Sequence, residues 1–456
     1  MNHYPDRLSK MSARILLLLA FFSTALSEDW RLAALSDANL VTAENELAVV
    51  VPSGLSTSLT PWTHNISVLP GAIYDGTYVT VAYNSSAPAW GDWVGLYSSS
   101  SADISSVAPI KWAYIDDKAY LSQGSGSRRF QVISMRSPTF ALYLFSGGLS
   151  KGVARAAVNL SFSGDPYAPQ RARVAMENAS HLRLTWSSGR SPAASPPTLA
   201  WGLSPSALRL QPSAPIASHT LQRTALCGPP ANASGYLDLG YTHSALLDLT
   251  QLPSRPLSLY YSLGDSVAGA SAPVRATVPS APATAAEPAA PLYPHTILAF
   301  DDMGRGSGDD AQTWSEYGAP SLNTSRFLDC VAAQNDSDSS ACVAGGGGVG
   351  GGRVQLVWLV GDVSYSTGYL AVWEWWLFMV SRWTAHLPLL IGLGNRELLG
   401  GRPAWHARTC TCAWHHFCLL PCTPSPLPPP LKRRVWHAAA WRWAQPQQPL
   451  FLLFHH

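Results

Sequence analysis

The sequence predicts a multidomain chain, β plus α/β, in which two consecutive β-sandwiches precede an α/β unit built on parallel strands. Between residues 30 and 280, short stretches of alternating apolar and polar residues recur, punctuated by Ser, Gly and Pro. That spacing is typical of sandwiches. Beyond residue 292 the pattern changes to continuous apolar runs: Ile297-Leu298-Ala299-Phe300, Val354-Gln355-Leu356-Val357-Trp358-Leu359-Val360 and Leu389-Leu390-Ile391. Uninterrupted apolar strands separated by helix-length segments belong to parallel sheets covered on both faces.

Taken in order, residues 1–27 read as a signal peptide. Arg7, Lys10 and Arg14 precede a short apolar run, and Ala25-Leu26-Ser27 follows as a cleavage site. The alternative is an N-terminal anchor helix. The first sandwich spans 30–164, with strands expected at Ala48-Val49-Val50-Val51, around Val79 and Val81, at Trp93-Val94-Gly95-Leu96, around Phe130, at Phe140-Ala141-Leu142-Tyr143-Leu144 and around Leu160. Asp165-Pro166-Tyr167-Ala168-Pro169 marks a boundary. The second sandwich spans 165–280, and its repeat has the spacing of a fibronectin-III-like domain. Leu182-Arg183-Leu184-Thr185-Trp186 alternates cleanly, and further strands lie near Trp201, Leu246, Tyr260 and Val274. A Pro- and Ala-rich linker follows at 281–292, and the α/β unit occupies 293–398. The glycine run 345–352 lacks the Lys-Ser/Thr of a phosphate loop and reads as a surface insertion. Residues 366–382 read as an aromatic-rich helix packing on the sheet. The stretch 399–456, rich in Cys, His, Trp and Pro, reads as an aberrant or disordered tail with no persisting period.

Composition limits the function. Charged residues make up 13% of the 456-residue chain and the net charge is +2, so no nucleic-acid surface is expected. The sequons at Asn65, Asn84, Asn159, Asn178, Asn232, Asn323 and Asn335 are glycosylation candidates and agree with secretion. No stable membrane span is expected after signal cleavage. An oxidising compartment permits disulfides, and Cys330 and Cys342 are close enough in sequence to bridge.

Each apolar run of the α/β unit ends in a polar piece: Asp301-Asp302-Met303-Gly304, Gly361-Asp362-Val363-Ser364-Tyr365 and Gly394-Asn395-Arg396-Glu397. In open parallel sheets ligands sit beyond the carboxyl ends of the strands. Asp302, Asp362, Tyr365 and Asn395 are thereby delivered to one sheet edge, as an oxygen-rich cluster suited to hard metal ions.

Those three pieces, in this order, resemble the first three motifs of the purple acid phosphatases, forms D-x-G, G-D-x-x-Y and G-N-H-[DE]. Upstream, Gly91-Asp92-Trp93-Val94-Gly95, Ala108-Pro109-Ile110-Lys111, Cys227-Gly228-Pro229-Pro230 and Gly240-Tyr241-Thr242-His243 are similar to the large plant-type members. The resemblance covers about residues 45–397. It implies two fibronectin-III-like sandwiches followed by a partial α/β/β/α metallophosphoesterase domain. It implies a cofactor pair of Fe(3+) and a second divalent metal (Zn, Mn or Fe). Asp302 and Tyr365 would bind the ferric ion, Asp362 would bridge both metals and Asn395 would hold the divalent one. The implied substrates are small phosphate esters or nucleotide phosphoanhydrides, acted on outside the cell or in the vacuole. A homo-oligomer is compatible with this.

The sequence departs from the family in two places. Arg396 stands where the family has a catalytic histidine; arginine binds phosphate well but cannot titrate. The family's last two motifs, V-x-x-H and G-H-x-H, which supply three histidine ligands, find no match after Glu397. The implied reading is a C-terminally truncated or misread member with impaired activity. The alternative is a non-catalytic secreted β-domain binding protein with a vestigial phosphatase unit. Cys410, Cys412, His415, His416, Cys418 and Cys422 have zinc-suited chemistry, but at the spacing of no recognisable finger or ribbon.

Overall fold

A computed structural model describes residues 64–98, 103–150, 152–226, 228–252, 258–279, 296–306, 308–311, 319–334, 354–392 and the backbone of 450–454. The signal segment, the 281–292 linker, the glycine run, Cys227, Cys342, Asn335, Asn395, Arg396 and the Cys/His cluster lie outside these residues.

The first part is a β-sandwich. Its strands are β1 (His64–Leu69), β2 (Ala72–Ile73), β3 (Thr77–Ser85), β4 (Trp93–Ser98), β5 (Lys111–Tyr114), β6 (Ser125–Val132), β7 (Thr139–Ser146) and β8 (Val153–Phe162), with a short helix α1 (Lys118–Gln123) before β6. One sheet runs β1-β3-β6 and the other β2-β8-β7-β4-β5. β3 alternates strictly between exposed and buried residues, the mark of a strand with one face on a core. Val79, Val81, Leu96, Phe130, Leu142 and Leu160 fill that core.

The second sandwich follows without a break. It comprises β9 (Gln170–Asn178), β10 (His181–Ser188), β11 (Pro197–Gly202), β12 (Ala217–Thr220), β13 (Tyr241–Asp248), β14 (Ser258–Asp265), β15 (Gly269–Ala270) and β16 (Val274–Thr277). The sheets are β12-β13-β10-β9 and β11-β14-β15, with β16 paired to β14. Leu184, Trp186, Trp201, Leu259 and Tyr261 form the core.

The α/β part has four parallel strands in the order β19-β18-β17-β20: β17 (Thr296–Phe300), β18 (Val354–Leu359), β19 (Leu389–Ile391) and β20 (Leu450–Phe454). β20 lies within the stretch 399–456 that the sequence reads as an aberrant or disordered tail, whose other residues fall outside those described. Five consecutive apolar residues there suit a parallel strand, and they pair with the otherwise free edge of β17. Two helices, α2 (Ala319–Gln334) and α3 (Leu370–Thr384), share one core with the sheet. Among the described residues, Trp358 and Leu390 stay about one-third exposed on the strands.

The aromatic run of α3 is core, as its sequence suggests. Trp376, Val380 and Trp383 pack with the sheet. Trp375 joins the core of the first sandwich instead. The end of α3 meets the second sandwich, where Tyr261 Oη donates to the Ala385 carbonyl (2.9 Å) and Thr277 N donates to His386 O (2.7 Å). One helix thus ties all three parts together.

Candidate metal centre

Three backbone bonds lace the carboxyl ends of the parallel strands. Val360 N donates to Phe300 O (2.7 Å), Asp302 N to Gly361 O (3.2 Å) and Gly392 N to Leu359 O (2.7 Å). These place the turn after β17 directly beside the turn after β18. At that edge Tyr365 Oη donates to Asp302 Oδ1 at very short range and lies 3.3 Å from Asp362 Oδ2. Two carboxylates and a phenol, from two different turns, therefore meet at one point. Tyr365 is buried, while Asp302 and Asp362 are half-buried.

The backbone under this cluster is unusual. Asp302, Asp362 and Tyr365 have φ of 53°, 51° and 52°, and Thr367 has 45°. Aspartate tolerates the left-handed region moderately, whereas a tyrosine or a β-branched threonine there is an outlier. Such residues cost about 1–3 kcal/mol each and persist where neighbours over-determine them, characteristically at functional sites. Asp301 Oδ1, one residue upstream, is shielded from solvent and has no hydrogen-bond partner among the described residues.

The donor set fits a hard trivalent cation: two carboxylates plus a phenol that ionises on binding. Among the described residues, no three of His, Cys, Asp or Glu gather as a metal site; the candidate centre depends on its tyrosine. Of the residues expected at the site, the structure brings together Asp302, Asp362 and Tyr365. Asn395 and Arg396 fall outside the described residues. Of the sequons, Asn65, Asn84, Asn159, Asn178 and Asn323 are exposed and Asn232 is half-buried.

Two buried charged groupings escape sequence reasoning. Lys111 pairs with Asp309, both side chains fully enclosed. Glu374, inside α3, receives Arg136 (2.5 Å) and Arg171 (2.7 Å), and Arg171 continues to Asp75 (2.6 Å). The sequence holds one signal for the latter: a lone glutamate in the aromatic run Trp373-Glu374-Trp375-Trp376, where a buried carboxylate demands a cation.

The Fn3-like domain from purple acid phosphatase matches residues 65–163, nearly the whole of the first sandwich. About 70% of the chain matches curated plant proteins. It is 26% identical over 339 residues to "Probable inactive purple acid phosphatase 1" of Arabidopsis thaliana, covering 70% of this chain and 50% of that one. It is likewise 26% identical over 347 residues to "Probable inactive purple acid phosphatase 27" of the same plant, covering 71% and 51%. The chain is related to the plant-type purple acid phosphatases. The purple acid phosphatase fold is shared with an enzyme from yellow lupin (Lupinus luteus) seeds at a TM-score of 0.61, with 22% identity, covering 78% of this chain and 62% of that one. The architecture is accordingly two Fn3-like sandwiches followed by part of a metallophosphoesterase domain. The chain spans about half the length of these Arabidopsis relatives.

Proposed function

We propose that this chain is a secreted purple acid phosphatase-like protein that binds ferric iron through Asp302, Asp362 and Tyr365 and hydrolyses small phosphate esters or nucleotide phosphoanhydrides weakly. The observation that carries this reading is the meeting of Tyr365 Oη with both carboxylates. Asp302 and Tyr365 would hold the Fe(3+), Asp362 would reach both metals, and Asn395 would hold the divalent ion (Zn, Mn or Fe). Bound together, the two cations would lower the pKa of water and neutralise phosphoryl charge. Asp302 and Asp362 supply the negative charge that keeps a trivalent ion in place. The buried ring of Tyr365 excludes water from one side of the centre. Arg396 can grip a phosphate bidentately but does not titrate and cannot serve as general acid to a leaving group, so turnover is expected to fall well short of that of an active relative.

A second reading has its own support. Arg396 and the "probable inactive" names of the Arabidopsis relatives favour a non-catalytic β-domain protein with a vestigial centre. Metal content per purified chain, with hydrolysis of p-nitrophenyl phosphate at mildly acidic pH, separates the two. Iron in the chain together with slow hydrolysis that rises in Arg396→His supports the first reading. Metal-free protein, silent in both forms, supports the second.

A further inference from the structure

We propose that the first sandwich is a positioning part of the candidate centre, acting through the buried Lys111–Asp309 pair; the proposal rests on the reading of Asp302, Asp362 and Tyr365 as metal ligands. β6 is the edge strand of its sheet, and an edge strand presents unpaired backbone groups. Residues 308–311, on the chain leaving Asp302, occupy that edge. Asp310 N donates to Arg129 O (2.8 Å), Arg129 N donates to the Asp310 carboxylate (2.7 Å) and Arg129 Nη2 donates to Gly308 O (3.1 Å). Gln131 N donates to Asp309 Oδ2 (2.6 Å).

Lys111, from β5 on the opposite sheet of the same sandwich, donates to that same Asp309 carboxylate oxygen. Its ammonium lies 3.6 Å from the centroid of the Trp375 ring, and the Arg305 guanidinium lies 5.8 Å from it. The strand β5, the turn after Asp302 and helix α3 therefore converge on one enclosed ion pair.

A fully enclosed ion pair adds little net stability compared with apolar packing, and its best use is to fix one arrangement. The arrangement fixed here is the exit of the Asp302 turn. β17 anchors the entry and Asp309 anchors the exit, and between them Asp302 is held at positive φ. Metal ligands need placement to within about 0.5 Å, and groups that support ligands typically tune metal affinity by about 10–100-fold. Lys111 acts through Asp309 and the backbone.

The test uses the full chain, with hydrogen exchange read by mass spectrometry and titration by ferric iron alone. In Lys111→Met, exchange at 300–306 rises about tenfold or more while β14 is unchanged, and Fe(3+) affinity falls about tenfold or more. Lys111→Arg, which keeps the charge and the ring contact, recovers most of both. Asp310→Ala, which removes only the exposed contact to Arg129, folds and moves exchange at 300–306 the same way by about threefold. The proposal is overturned if 308–311 loosens while 300–306 and ferric affinity stay at wild-type values, or if β14 loosens equally. Should the wild-type chain bind no ferric iron, the metal reading falls and the exchange pattern alone decides: 300–306 loosening with 308–311 upholds the positioning role, and unchanged 300–306 overturns it.

Discussion

Two buried charged regions of this chain look alike and do different work. In the knot around Glu374, Arg136 and Arg171 sit at φ of 57° and 58°; in the cluster around Tyr365, Asp302 and Asp362 sit at 53° and 51°. Strained backbone alone therefore does not mark function. Charge balance and access separate them. Glu374 is fully enclosed and met by two guanidiniums, with Asp75 beyond them. The Asp302 and Asp362 carboxylates are half-buried at the carboxyl ends of the strands and converge on a phenol. The first is a closed set of charges that locks three parts together, and the second is an oxygen cluster whose donor types suit the proposed cation.

The sharpest way to break the comparison is at Glu374. Glu374→Ala leaves the buried Arg136 guanidinium without its carboxylate and Arg171 with Asp75 alone, and breaking a buried pair costs about 3–5 kcal/mol. Urea unfolding should show a lowered midpoint and an unfolding free energy reduced by that amount; a reduction below about 1 kcal/mol would mean that the knot is loosely packed. Next comes His243, which burial holds down to about 4. Its ring bonds Ser188 and Ser218 (2.7 and 2.8 Å) while neutral. Because the folded value lies below the unfolded one, near 6.5, its contribution is complete above pH 6.5 and is lost as pH falls towards 4. The loss amounts to about 3 kcal/mol at about 1.4 kcal/mol per unit. Stability measured against pH should flatten over that window in His243→Gln.

Asp75 has a smaller effect. Burial would raise its pKa, but the hydrogen bonds and charge of Arg171 win and hold it low. Its stabilisation is therefore present above the ordinary carboxylate range and fades as pH falls below it. Asp75→Asn should cost about 1–2 kcal/mol at pH 7, and the gap from wild type should close in acid. The smallest effect is at Asp329. Burial pushes its carboxyl up to about 6 despite Arg382 at 3.1 Å. Arg382 is mostly exposed, so that pair contributes little. A raised carboxyl disfavours folding as pH climbs through 6, so Asp329→Asn should be neutral or stabilising by up to about 1 kcal/mol at pH 7 in thermal melts.

The sequence made the long regular strands legible because their patterns are local. The alternation in β3 and β10 and the apolar runs of β17, β18 and β19 each announce a face and a layer. The short strands β2, β5 and β12 carry too few residues to show a period, and the first half of α2 is rich in Ser, Thr and Asn. The convergence of Asp302, Asp362 and Tyr365 follows from strand ends in a parallel sheet and was readable. The Lys111–Asp309 pair was not, because it joins residues nearly two hundred positions apart and no local spacing encodes such a contact.

The central claim is that the meeting point of Tyr365, Asp302 and Asp362 is a ferric site. Its most direct test is titration of the full chain with Fe(3+), followed by visible absorption. The account predicts a saturable phenolate-to-iron band that is absent in Tyr365→Phe and weakened in Asp302→Asn, with the fold intact by circular dichroism. A band of equal strength in Tyr365→Phe, or none in the wild-type chain, would contradict it.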